Sequence, residues 1–328
     1  MKKQFYIFLT TLVVSLWSTA VFANGNEPYA EKTKSYTKTY PLGGGDNVNL
    51  NNQFGELKVT TWNKNEIKVD IQITAKANTE EAAQNILDNI YIEDSKNGNT
   101  VSFQTKMRNN KGNWNKGNKK DYKDQGMSIN YVVYMPATTA LNATNSFGAM
   151  MIPDMKSAVT LTSKFGSLNA GSLAQVRDIN VEFGEAWIDA MNGGKVTIKF
   201  SKGSIKNLTG NIEARFEFCD KIRLNVDNNV KDINIRSSYS NLYLNTPTNL
   251  SSAVTVKTSF GDFTNKSGFD IKEQGKNDDK YGPKFDKLYI GNAGSGGNKM
   301  NIKADFGDVI LGHNLEVDFT SKKKQAKI

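Results

Sequence analysis

The sequence predicts an all-β chain wound as a single-stranded parallel β-solenoid, and three observations carry that prediction. An aromatic residue recurs at Phe147, Phe165, Phe183, Phe200, Phe218, Tyr239, Phe260 and Phe306, at intervals of 18, 18, 17, 18, 21, 21 and 46 residues, with an outlying copy at Phe54. The residues before each aromatic alternate at period two, as in a strand with one buried face: Val159, Leu161, Ser163 and Phe165 on one side, Thr160, Thr162 and Lys164 on the other. Glycine follows the aromatic at Gly55, Gly148, Gly166, Gly184, Gly261 and Gly307, as expected where the chain bends through a conformation a side chain resists. A repeat of about 17–23 residues cannot bury its apolar face alone and must stack on its neighbours. At about 4.8 Å per coil, roughly nine coils make a rod about 40 Å long, with phenylalanine and isoleucine expected in interior ladders. An antiparallel sandwich also shows strands at short intervals, but it gives no reason for one aromatic corner to recur at nearly constant spacing.

Each segment has its own justification in chain order. Residues 1–23 read as a signal peptide: Lys2 and Lys3, an apolar run over 5–17, then Val21-Phe22-Ala23 as a small-residue cleavage pattern, so the mature chain is expected to start at Asn24. That run is too short for a stable span of the roughly 30 Å hydrocarbon layer. Residues 24–135 form an N-terminal β region holding the first coil. Within it a helix over 78–90 has Asn78 as expected N-cap, Glu81 three residues on, and Ala82, Ala83, Ile86, Leu87 and Ile90 at helical spacing. This helix would cap one end, since an open end is an unpaired sheet edge. "NIYIED", "TVSFQT" and "SINYVVYMP" read as strands continuous with the first coils, and the loop over 106–125 is basic and Gly/Asn-rich with Trp114 and Tyr122 interleaved. Residues 136–320 hold the repeats, with polar insertions over 264–284 and 291–299. The 46-residue interval there would fit two turns of the unit, and residues 321–328 are a basic tail.

Composition narrows the function. A hydrophobic content of 38% is low for an enzyme core and suits a thin β-structure with much surface per residue. Cys219 is the only cysteine, so no internal disulfide forms, and with His313 the only histidine neither a Cys/His metal cluster nor a serine–histidine triad is expected. Cys219 takes the corner place otherwise held by glycine and reads as a structural thiol; His313 reads as a surface residue. No calcium-loop pattern occurs, and Gly43-Gly44-Gly45 lacks the lysine and helix of a phosphate loop. Glu56, Glu185, Asp262 and Asp308 share the place after Phe-Gly. A solenoid polysaccharide hydrolase or lyase would need such acids in pairs. Stacked in chain order, Glu185 and Asp262 would be four coils or roughly 19 Å apart, and Asp262 and Asp308 about 10 Å, just beyond an inverting pair. Acids that hydrogen-bond the corner explain them more simply. No catalytic, cofactor-binding or metal-binding residue is therefore expected.

Binding is the remaining class. Outward strand positions bearing Lys199, Arg215, Arg236 and Lys257 are the first candidate contact surface, and the loop with Trp114 and Tyr122 the second. Lysine and arginine number 42 against 33 acidic residues, a net charge of +9 that favours anionic surfaces such as acidic polysaccharide; the basic residues are spread too widely for a nucleic-acid footprint.

"NVNLNNQFGELKVTTWNKNEIKVDI", the helix with its following strands, "INYVVYMPATTALNATNSFG" and the later Phe-Gly corners together resemble the exported bacterial "putative adhesin" domains, over nearly the whole mature chain. The resemblance implies a repetitive β-solenoid and an adhesin-like, non-catalytic role at the periplasm or cell surface, with a polysaccharide or an envelope or extracellular protein as partner. It brings no catalytic residues, and the chain departs from the repeat at Phe200-Ser201, at Phe218-Cys219 and in the basic loop. The alternatives are the solenoid hydrolase or lyase, and a structural or envelope-stress periplasmic protein without a ligand.

Overall fold

The structure is a computed structural model and describes residues 29–108, 126–275 and 285–320. The expected signal segment, Trp114 and Tyr122 with most of their loop, and the basic tail lie outside these residues. Within them the chain is nearly all β, with one short helix. Its strands join in one continuous hydrogen-bonded sheet of mixed sense.

The middle of that sheet is parallel and has two walls. The strand segments before each aromatic make the first wall, with Leu50, Ala143, Leu161, Ile179, Val196, Ala214, Ile235, Ile302 and Val256 paired rung to rung. The segments after each aromatic make the second, through Leu57, Met150, Leu168, Ala186, Gly203, Ile222, Leu242 and Val309. Period-two alternation turns both rows inward, and they join a single hydrophobic cluster.

Antiparallel strands close the two ends, so the purely parallel arrangement expected from the repeat does not extend over the whole chain. Glu66–Ala77 pairs with both Ala30–Pro41 and Gly126–Met135, and Ile90–Asn97 with Thr100–Met107; at the other end Asp286–Ala293 pairs with both Ser252–Ser259 and Asp270–Gln274. Hairpins can fold back over an otherwise unpaired edge through short connections, which a parallel coil cannot. The helix, Glu80–Asp88, packs on the first two of these strands, burying Ala83 and Leu87. Its N-cap is Thr79, whose hydroxyl accepts the Ala82 N–H at 3.1 Å, one residue later than the Asn78 cap expected.

Three further expectations are corrected. The 46-residue interval does not hold two turns: the Phe306 rung, Asn298–Asp305 with Val309–Gly312, inserts between the rungs of Tyr239 and Phe260, while the Asp286–Ala293 strand lies outside Phe260. The aromatics are not interior. Each sits at positive φ, from 49° to 62°, and this left-handed residue breaks the alternation and swings its ring out of the pleat. The following glycines do not themselves take positive φ; they are required by close approach. A Cβ on Gly148, Gly166 or Gly184 would lie 2.0, 2.0 or 1.7 Å from the carbonyl oxygen of the preceding corner glycine.

Candidate binding face

On the outer side of the first wall, the place three residues before each aromatic reads Thr162, Asn180, Thr197, Arg215, Arg236, Lys303 and Lys257 in spatial order. Four cations thus stand on consecutive rungs, spanning about 14 Å. Arg215 bonds Glu217, and Lys303 meets Asp305 at 3.3 Å. Arg236 and Lys257 have no ion pair among the described residues. Lys303 was not among the expected contact residues; its repeat position signals it, but only the inserted rung places it between Arg236 and Lys257.

Lys199 does not belong to this row. It lies beside the aromatics in a row of alternating sign, where Lys164 pairs with Glu182 at 3.3 Å and Lys199 with Glu217 at 3.1 Å. Burial, the largest single influence on the Glu217 carboxyl, pushes its pKa up, but hydrogen bonds and charges from Lys199 and Arg215 together hold it below the usual glutamate value.

Next to this row the aromatics form a ladder along the corner. Phe54, Phe147, Phe165, Phe183, Phe200, Phe218, Tyr239, Phe306, Phe260 and Phe285 stack in that order at centroid spacings of 4.6–5.1 Å. Ring planes are parallel within 5° from Phe54 to Phe260. Each ring from Phe147 onward is 44–52% exposed, and from Phe147 to Phe260 both faces are covered by neighbouring rings while the edge meets solvent.

Part of the outer side of the second wall is covered by the chain itself. Residues 314–320 run back across it with Leu315, Val317 and Phe319 half-buried. Asn245 holds Leu315 from both sides of its peptide, Lys221 Nζ donates to the Asp318 carbonyl at 2.6 Å, and Lys202 Nζ to that of Phe319 at 3.1 Å. Phe319 ends edge-on against Trp187 at 4.9 Å. A small cleft of about 250 Å³ beside this strap is lined by Arg223, Asn225, Asp227 and Asn245, among others.

Of the acids after the corners, only Asp308 holds a neighbouring corner through its carboxylate. Asp262 and Asp308 stand on adjacent rungs, not two apart: the Asp262 N–H donates to Asp308 Oδ1 at 3.0 Å, and the Asp308 N–H to Asn241 Oδ1 at 3.2 Å. Lys287 bonds the Asp262 carboxylate. Glu185, five rungs from Asp262, accepts from Trp187 Nε1 at 3.0 Å and pairs with Lys202 at 3.0 Å, which together lower its pKa. Glu56 is held through its N–H, 2.8 Å from Asn130 Oδ1.

Cys219 is buried, its N–H donating to Ser240 Oγ at 2.9 Å and its thiol to the Ile198 carbonyl at 3.3 Å; burial pushes the thiol pKa up. His313 is half-buried and held on both ring nitrogens rather than free on the surface. Its Nδ1 lies 2.7 Å from the Thr246 carbonyl and its Nε2 2.8 Å from that of Ser267, tying together two loops beside the strap. Among the described residues no group of three or more His, Cys, Asp or Glu could hold a metal, and no helix is long and apolar enough to cross a membrane.

No family model and no curated protein matches the chain. Solved structures that resemble it include a "putative cell adhesion protein" from Clostridium sporogenes, 15% identical over 86% of this chain and 100% of that one, with a TM-score of 0.26. A "putative adhesin" from Bacteroides fragilis is 13% identical over 85% of this chain and 97% of that one, TM-score 0.38. A "putative lipid binding protein" from Parabacteroides distasonis is 10% identical over 84% and 96%, TM-score 0.34. At these scores the likeness decides nothing about this chain, and its function is argued from its own surface.

Proposed function

We propose that this chain is an exported, non-catalytic, adhesin-like binding protein whose parallel rungs act as a short β-solenoid displaying the first wall to an anionic partner of the cell envelope or its surroundings. Export rests on the signal pattern of residues 1–23. The carrying observation is the row Arg215, Arg236, Lys303 and Lys257, exposed on the outer side of the first wall, which the strap of residues 314–320 does not cover. Cations repeated at about 4.8 Å match a polymer or surface with closely repeated negative charge, and their exposure makes the attraction long-ranged and salt-sensitive.

The test is binding of the processed chain to heparin, used as a soluble polyanion probe, by calorimetry at low and raised salt. The variant carrying R215Q, R236Q, K303Q and K257Q is expected to lose most of the affinity while keeping the unfolding midpoint. Equal binding by that variant refutes the row as the contact. A glycan and matrix-protein array, with captured sugars examined by mass spectrometry, tests the rest of the reading; shortened sugar products refute the non-catalytic role.

A further inference from the structure

We infer that the aromatic ladder is a docking edge for an anionic lipid surface. Ten rings, half-exposed from Phe147 onward, run in one line over nine spacings of 4.6–5.1 Å, a stripe about 44 Å long. An aromatic side chain carries roughly 200 Å² of surface, so the stripe leaves on the order of 1,000 Å² of apolar area in water. Soluble monomers seldom leave more than about 300–600 Å² in one patch, and larger patches mark sites of protein or membrane contact.

Ring geometry selects the occupant. A sugar stacks on the face of an aromatic ring, and here the faces are taken up by neighbouring rings within 5° of parallel. What remains is a straight row of apolar edges on a convex corner, which fits a flat, deformable apolar layer better than a rigid pocket. Acids flank the rings, Glu182, Glu217 and Asp305 one residue before and Glu185 and Asp262 two after, and each is held by a lysine or arginine, so the charge left on offer among the described residues is that of the neighbouring cation row, with Arg236 and Lys257 outside any ion pair. The row Arg215, Arg236, Lys303 and Lys257 runs parallel to the ladder on the rungs of Phe218, Tyr239, Phe306 and Phe260, three residues or about 10 Å along the strands. Rings at the level of the first acyl carbons would leave those cations among the headgroups, the arrangement of interfacial protein segments on acidic lipid. A left-handed aromatic residue costs about 1–2 kcal/mol, and its recurrence in nine corners, eight phenylalanines and Tyr239, marks a feature kept outside rather than released to the core. This reading rests on the proposed anionic partner for its headgroup contact and adds the ladder as the apolar contact.

The test uses the chain as recovered from the expressing cell, its N-terminus established by mass spectrometry, with vesicles of phosphatidylcholine alone and of phosphatidylcholine mixed with phosphatidylglycerol. The variant F147N, F165N and F183N removes three rings on rungs that lack the cation row, and asparagine accepts the left-handed corner. Expected are co-sedimentation with the anionic vesicles, a loss of about tenfold or more in partitioning in the triple variant, and heparin affinity within about twofold of the parent. A Phe183→Trp variant should shift its emission to the blue with anionic vesicles. Undiminished vesicle binding by the triple variant overturns the inference, as does heparin binding without vesicle binding, which leaves the proposed function standing. A lipid-free dimer that the triple variant converts to monomer also overturns it, because a second copy then covers the stripe. Vesicle binding without heparin binding supports the ladder and refutes the soluble polyanion.

Discussion

Replacing Gly184 by alanine tests the requirement for close approach at the corners. A Cβ at this position would lie 1.7 Å from the Gly166 carbonyl oxygen and 2.8 Å from its carbon, and both are backbone atoms of the neighbouring rung. Ordinary contact begins at 3.4 Å, so the rungs must part locally by about 1.7 Å of a spacing near 4.8 Å. That displacement breaks the hydrogen bond from the Glu185 N–H to the Gly166 carbonyl, 3.2 Å long, and loosens the one from the Phe165 N–H to the Glu182 carbonyl, 2.9 Å. With two hydrogen bonds at about 1 kcal/mol each and overpacking of about 1–3, the expected loss is about 3–5 kcal/mol. Ser201 occupies the corresponding corner one rung on, where its hydroxyl accepts the Gly184 N–H at 3.0 Å and donates to the Lys199 carbonyl at 2.6 Å. Ser201→Ala loses only those bonds, about 1–2 kcal/mol. Urea unfolding followed by circular dichroism reads both as midpoint shifts at constant m. A Gly184→Ala protein within about 0.5 kcal/mol of the parent, or less damaged than Ser201→Ala, refutes the argument.

Three other outcomes follow from the same geometry. Phe165→Asn relieves about 1–2 kcal/mol of left-handed strain and forfeits two stacked pairs worth about 0.5–1.5 each, so its unfolding midpoint should barely move, whereas Leu161→Ala, fully buried four residues earlier on the same rung, should cost about 2–5 kcal/mol; a phenylalanine loss as large as the leucine loss would mean the ring is part of the core. Asp46, through the Gly43 N–H and Lys96, and Glu185 and Glu217 all titrate below their ordinary values. Their contribution is full above the unfolded carboxylate pKa of about 4 and fades as pH falls through the lowered values, so denaturation midpoints should drop below about pH 4, less steeply in Asp46→Asn, and an unchanged slope in that variant would remove Asp46 from the account. Phe319→Ala should free the strap from Trp187 and raise hydrogen exchange over 314–320 with a small change in midpoint; unchanged exchange would show that the ring does not hold the strap.

Much of this architecture is local and therefore legible in the chain. Alternation at Val159, Leu161 and Ser163 reports a strand with one buried face because successive side chains of a strand point oppositely, and the recurring Phe-Gly corners report rungs that must stack. The direction of the aromatic was not legible by the same rule. Alternation carried through Phe165 puts the ring inside, and a single residue at positive φ reverses it. The helix was readable from its apolar spacing, its cap only to within one residue, since Asn78 and Thr79 offer the same chemistry.

Sequence alone thus determined the rungs, their corners and the helix, each of which depends on residues close by in the chain. Tertiary structure decided the order of the rungs, because strands of one pattern pair equally well with several partners. That order placed Phe306 between Tyr239 and Phe260, brought Asp308 next to Asp262 and made one row of four cations from residues up to 88 positions apart. It also laid the chain's last described residues over part of the second wall rather than over the first, a choice between two faces of like alternation that only long-range contacts can make.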